Sequence, residues 1–185
     1  MQRLALAVLV VLSTVSCSKA PPTGSATSSA VVAGDLAQQG APAPTFSGKT
    51  HDGRTVSLES LRGKNVVLYF YPKDDTPGCT VEARGFKETS GDFEKAKAVV
   101  VGVSADDAES HRAFAEKYSL PFVLLPDADH AIAGAFGVPV SAGFEKRVTF
   151  VIDPAGKIVK VWPSVTPDGH AEEVLAVVNG IGKGS

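Results

Sequence analysis

Between residues 64 and 162 the chain alternates short, almost wholly apolar runs with stretches whose apolar positions recur at three- or four-residue spacing. The run "NVVLYFY" (65–71) is continuous, β-branched and aromatic, the pattern of a strand buried on both faces. "TPGCTVEARGFKET" (76–89) carries helix-start chemistry, and "AVVVGVS" (98–104) predicts a second buried strand. "DDAESHRAFAEKYS" (106–119) has helical spacing, "FVLLPD" (122–127) predicts a third strand, and "HAIAGAFG" (130–137) a short helix stopped by glycine. In "RVTFVIDPAGKIVKVW" (147–162) two strands flank the turn Asp153-Pro154-Ala155-Gly156, which predicts a hairpin. "GHAEEVLAVVNGIG" (169–182) predicts a closing amphipathic helix capped by Gly180, and "TFSGKTHDGRTVSL" (45–58) a small hairpin around Asp52-Gly53.

This order implies an α/β unit: a mixed central sheet with helices on both faces and an extra N-terminal hairpin. It suits a thioredoxin-like fold. The N-terminal pattern is different. A positive charge at Arg3 precedes an apolar run from Leu4 to Leu12, far shorter than the roughly 20 residues of a membrane span. Residues 1–17 therefore read as a signal peptide. Residues 18–40 are rich in Ser, Thr, Ala, Gly and Pro and hold no aromatic residue. Such a stretch buries too little apolar surface to offset its ordering entropy, and reads as a flexible linker. The folded domain is expected over residues 41–185.

Composition narrows the function. With 44% hydrophobic and 21% charged residues the chain is an ordinary globular sequence, and a net charge of −2 with scattered Lys and Arg offers no nucleic-acid surface. His51, His111, His130 and His170 are dispersed with no ligand-pair spacing, so neither metal nor cofactor is expected, and each reads as a solvated or turn residue. Trp162 reads as a packing residue.

Only two cysteines occur. Thr76 suits an N-cap and Pro77 the first helical position, which makes Cys79 the third helical residue. In a capping box the cap and third side chains approach each other, so this spacing predicts the Thr76 hydroxyl close to the Cys79 sulfur. Unpaired N–H groups and the helix dipole favour an anion there, and cysteines in such positions have pKa values of roughly 3.5–7.5. A thiolate is the nucleophilic form. A structural core thiol is the plain alternative. Disulfide exchange needs Cys-x-x-Cys, whereas this chain has Cys79-Thr80-Val81-Glu82. A Cys-His hydrolase would need a placed histidine, and no motif supplies one.

Pro72-x-x-x-Thr76-x-x-Cys79 resembles the peroxiredoxin signature Pro-x-x-x-Thr/Ser-x-x-Cys, and "YFYPKDDTPGCTVEARGF" is similar to the bacterioferritin co-migratory protein, or PrxQ, branch. The likeness runs from about residue 41 to the C-terminus. It implies a peroxidase in which Cys79 attacks peroxide and becomes a sulfenic acid. Thr76 would hydrogen-bond the thiolate and the peroxide, and Pro72 would shield them from water. Arg147 would stabilise thiolate and peroxide, with Arg84 a competitor for that role.

Many members of the branch carry a resolving cysteine five residues after the first; here Arg84 stands there. The resemblance thus implies a one-cysteine cycle completed by an external thiol, either a thioredoxin-like protein or a small thiol, in a monomer. The residues ending at Cys17 resemble a bacterial lipobox, with Thr14 where that pattern prefers an aliphatic residue. This implies a lipid on Cys17 and a membrane-tethered protein of the bacterial envelope; an ordinary cleaved signal would give a periplasmic or other extracytoplasmic one. A redox sensor or binding module on the same fold, reacting once without turnover, is the alternative function.

Overall fold

The structure, a computed structural model, describes residues 35–181. The expected signal peptide, Cys17 and most of the linker lie outside the described residues. In chain order the elements are β1 (Ser47–Lys49), β2 (Thr55–Ser57), a 3₁₀ turn (Glu59–Leu61), β3 (Asn65–Phe70), α1 (Pro77–Glu88), α2 (Ser90–Lys95) and β4 (Ala98–Ser104). There follow α3 (Ala108–Tyr118), β5 (Val123–Pro126), α4 (Ala131–Phe136), β6 (Val140–Ser141), β7 (Phe144–Glu145), β8 (Val148–Ile152), β9 (Ile158–Trp162) and α5 (His170–Gly180).

Five strands form the central sheet in the order β5-β4-β3-β8-β9. β3, β4 and β5 run parallel, while β8 and β9 are antiparallel. All of β3 is buried, as its unbroken apolar run predicts for a strand covered on both faces. Its side chains alternate between two cores. Val66, Leu68 and Phe70 join Phe136 of α4, Phe150, Ile152, and Val56 from the β1–β2 hairpin. Val67 and Tyr69 join Phe86 of α1, Phe93 of α2, Phe114 of α3 and Val174 of α5. This is the thioredoxin-like arrangement expected from the sequence, with the extra N-terminal hairpin in place.

Four local expectations differ. Residues 36–40 are not free linker: Ala37 is buried and its N–H donates to the Phe136 carbonyl, and the Gly40 N–H donates to the Ile158 carbonyl. One small apolar residue and two backbone hydrogen bonds, one to the end of α4 and one to β9, suffice to dock a segment whose composition reads as coil. Gly180 lies in the last turn of α5 and the cap is Ile181. α2 and the β6–β7 hairpin are additional elements. His111 and His170, expected in solvent, are buried.

His170 shows why burial holds here. Its Nε2 lies 2.9 Å from the Thr149 hydroxyl, with Phe86 and Trp162 packed edge-on at ring distances of 6.0 and 5.3 Å. Burial lowers its pKa to about 4, opposed by Glu173 and reinforced by the Arg147 charge. A depressed pKa means that the unfolded chain takes up the proton first as pH falls. The resulting stability is complete above about 6.5 and is lost between there and pH 4, a change of about 3 kcal/mol at most. Urea unfolding across this window should show wild type losing stability that a His170→Phe variant does not lose.

Gly102 of β4 stands opposite Tyr69 of β3. A Cβ there would sit 2.7 Å from Leu124 Cδ2 and 2.8 Å from the Tyr69 Cζ and hydroxyl. Gly102→Ala is expected to overpack this point and cost about 1–3 kcal/mol in urea unfolding.

Candidate active site

The helix that carries Cys79 begins as its sequence predicts. Thr76 is the extended N-cap residue (φ −84°, ψ 152°), Pro77 opens the helix, and the Thr80 N–H donates to the Thr76 carbonyl at 2.9 Å. The Thr76 side chain does something else: its hydroxyl donates to the Lys73 carbonyl at 3.0 Å and makes no cap to the helix. A capping box closes because a third-position Glu reaches back to the cap residue. Cysteine has no such arm, so the hydroxyl turns into its own loop. The predicted Thr76–Cys79 hydrogen bond is therefore absent.

Cys79 is 2% exposed, and Arg147 is its polar neighbour: Nη2 donates to Sγ at 3.3 Å. Sheet register explains this meeting across 68 positions. Val148 pairs with Phe70, so Arg147, just before β8, emerges beside the end of β3 where the 72–76 loop departs. Arg84, five residues after Cys79 and thus about 140° around the helix, is exposed. The arginine nearest the sulfur is Arg147.

Arg147 is itself held. Its Nη1 makes a short ion pair with Glu82 Oε2, and the Glu82 side chain is fully buried. Glu82 lies three residues after Cys79, hence on the same flank of α1. Burial raises its carboxyl to about 7, and the Arg147 guanidinium pulls against that rise. Gly78 leaves the guanidinium room, since a Cβ there would lie 3.4 Å from Arg147 Nη2 and 3.7 Å from Pro167 Cγ. Pro72 is partly buried at the head of the loop, directly after buried Tyr71. Upstream of Arg147, Glu145 is buried beside Asp127; burial and that carboxylate push its carboxyl up to about 9. Asp127 in turn caps α4, accepting from the Ile132 and Ala133 N–H groups at 2.9 and 2.8 Å.

Behind the loop lies a polar cluster that sequence reasoning missed. Asp74 accepts from the Tyr71 hydroxyl and from the Ser110 hydroxyl, each at 2.8 Å, and pairs with His111 Nδ1 at 2.8 Å. Ligand atoms of Asp74, Asp106 and His111 lie within 4.8 Å of one another. Both Asp74 oxygens and Asp106 Oδ2 are already engaged, the last by the Asp74 N–H and the Ser104 hydroxyl. The cluster therefore serves as a hydrogen-bonded anchor, not a cation cage. Trp162 packs against His170 with the Lys160 ammonium 5.6 Å from its ring centre, the edge-packing role its position suggested.

Chemically, the arrangement is one buried sulfur at a helix start, a fixed guanidinium donating to it, and a carboxylate fixing the guanidinium. The guanidinium N–H is aimed at the sulfur, so charge developing there meets a donor already in place.

Residues 39–161 match the AhpC/TSA family. The chain is 44% identical over 143 residues to peroxiredoxin Bcp of Bacillus subtilis, covering 74% of this chain and 91% of that protein. It is 40% identical over 163 residues to the chloroplastic peroxiredoxin Q of Triticum aestivum, covering 86% and 75%. Among solved structures, peroxidoxin BcpB of Mycobacterium tuberculosis superposes with a TM-score of 0.73 at 36% identity, covering 77% of this chain and 97% of that one. A structure of the Xanthomonas campestris bacterioferritin comigratory protein, described for its alkyl peroxide reduction activity, gives 0.70 at 36% identity, covering 73% and 90%.

Proposed function

The chain belongs to the AhpC/TSA family as a peroxiredoxin of the Q/Bcp type, and from that premise we propose that Cys79 is the sulfur with which this thiol-dependent peroxidase reduces peroxides. The observation that carries the reading is the Arg147 guanidinium 3.3 Å from a sulfur in the first turn of α1. The Cys79 thiolate attacks the terminal oxygen of ROOH and the O–O bond breaks. Its electron pair leaves with RO⁻, which takes a proton to give ROH, and Cys79 becomes a sulfenic acid. Negative charge spreads from sulfur onto the departing oxygen, and a donor already oriented there lowers the barrier. Glu82 keeps Arg147 from swinging into solvent. Thr76 and Pro72 shape the loop over the sulfur, and in the substrate complex the Thr76 hydroxyl, now turned to Lys73, is the group that would exchange partners for peroxide.

Cys79 is the one cysteine among the described residues, and with Cys17 carrying lipid or removed with the signal peptide, the oxidised sulfur is reduced from outside. A first thiol condenses with the sulfenic acid, releasing water and leaving a mixed disulfide. A second thiol then exchanges with it, restoring Cys79 and carrying away a disulfide. Hydrogen peroxide and organic hydroperoxides fit this chemistry, and a thioredoxin-like protein or a small thiol fits the donor. Peroxide consumption measured against dithiothreitol, glutathione and thioredoxin should continue over many equivalents with at least one donor. A single equivalent consumed with every donor would mean a sensor instead of an enzyme.

The monomeric state and the envelope location are part of the same reading. No helix among the described residues is long and apolar enough to cross a membrane, and the anchoring proposal rests on residues 1–17 alone. Mass spectrometry of protein from native membranes should find a diacylglyceryl adduct on Cys17. A mature chain beginning after Cys17 would replace the anchor by simple secretion.

A further inference from the structure

The two residues before Thr76 are both aspartates, and α3 grips each of them. Asp74, 7% exposed, directs both carboxylate oxygens into the body of the protein. Oδ1 takes the Tyr71 hydroxyl at 2.8 Å; Oδ2 takes the Ser110 hydroxyl and the His111 Nδ1–H, both at 2.8 Å. The Asp74 N–H is fixed as well, donating to Asp106 Oδ2 at 2.9 Å just ahead of α3. Asp75 is held at the surface: its carboxylate meets Lys117 Nζ at 2.5 Å and the Tyr118 hydroxyl at 2.6 Å, at the far end of α3. Its φ of +55° is left-handed, a conformation that aspartate tolerates better than most non-glycine residues.

The loop that leads into the catalytic turn is thus tied to α3 through both aspartates. It is bolted to α3 near the start and end of that helix, and the second bolt, Asp75, is itself the left-handed residue next to Thr76. His111 is fully buried and spends its Nδ1 on Asp74, while its Nε2 has no partner. A buried imidazole retained with half its hydrogen-bonding capacity unused is poorly explained by packing alone. It is well explained by the carboxylate it orients.

We propose that the buried Asp74–His111 pair, completed by Tyr71 and Ser110, is the positioning device of the peroxidatic turn, holding the 72–76 loop against α3 so that Cys79 meets Arg147 and peroxide in register. These are positioning residues; none touches the sulfur. The proposal rests on the peroxidase reading above, and it separates two reactions of the same thiol. Peroxide needs the oriented donors around Cys79, whereas a neutral alkylating agent such as iodoacetamide needs only the nucleophile. Misplacing the turn therefore penalises the first far more than the second.

Tyr71→Phe removes the hydroxyl that meets Asp74 Oδ1 at 2.8 Å and His111 Nδ1 at 3.3 Å without otherwise changing shape, His111→Leu removes the imidazole, and His111→Asn returns an N–H near the Nδ1 position. With full-length protein, the rate constants of Cys79 with hydrogen peroxide and with iodoacetamide are measured side by side, together with thermal unfolding. Tyr71→Phe and His111→Leu should slow peroxide on the order of 10- to 100-fold and alkylation by less than about threefold, and His111→Asn should recover most of the peroxide rate. Parallel loss of both rates, no loss in Tyr71→Phe, or failure of His111→Asn to recover would overturn the proposal. Tyr71→Phe decides the matter should His111→Leu not fold. A wild-type protein that is itself indifferent to peroxide would sink the peroxidase reading rather than this one.

Discussion

Cys79→Ser is expected to abolish peroxide consumption while leaving the fold intact. The loss should reach at least about 10⁴-fold, modest beside the roughly 10⁶-fold or greater accelerations that enzymes achieve. A hydroxyl in the same place stays protonated at neutral pH and cannot deliver an electron pair to an O–O bond. The exchange is nearly isosteric, and the serine oxygen can accept the same Arg147 hydrogen bond that Sγ accepts now. Unfolding free energy should therefore move by only about 1 kcal/mol. Stopped-flow peroxide consumption and urea unfolding on the same preparation check both halves, and undiminished turnover in the serine variant would remove Cys79 from the mechanism.

The second large effect belongs to Arg147→Gln. One preorganised donor aimed at the developing charge is worth about 10²–10³ in rate, and that is the loss expected in the rate constant for peroxide. Stability should fall as well, because Glu82 is left buried without its cation and Oε1 already lacks a partner. Breaking one side of a buried ion pair costs about 3 kcal/mol. The Glu82→Gln/Arg147→Gln double variant distinguishes the two consequences. It should regain most of the stability, since no unpaired charge remains, while the peroxide rate stays low. Recovery of the rate together with the stability would show that Arg147 serves the fold and not the chemistry.

How much of this was legible in advance depends on what sets each feature. The buried runs at 65–71 and 98–104 and the Asp-Pro-Ala-Gly hairpin were readable because local periodicity and turn residues dictate them. The helix start at Thr76-Pro77 was readable for the same reason, and it placed Cys79 in the first turn. α2 was not, because "SGDFEK" offers one apolar side chain, Phe93, which becomes a core residue only through packing on the second core. The β6–β7 hairpin turns at Ala142 and Gly143, both at positive φ; alanine gives no warning of that. Glu82 was read only as a residue that cannot resolve a disulfide. Its i+3 spacing from Cys79 could have marked it as facing the same neighbours. His111 and Asp74 are 37 positions apart, and their pairing arises where α3 lies against the loop, which no local pattern encodes. Distinguishing Arg147 from Arg84 required strand register as well as motif position.

The docked N-terminal segment has a practical corollary. Ala37 packs into the core on one side of the sheet, and Cys79 belongs to the other. The described chain therefore enters the body, at residues 35–37, from the sheet face remote from the reactive sulfur. A surface, bead or fusion partner attached there should leave the sulfur's approach unobstructed, so immobilised protein should retain its turnover.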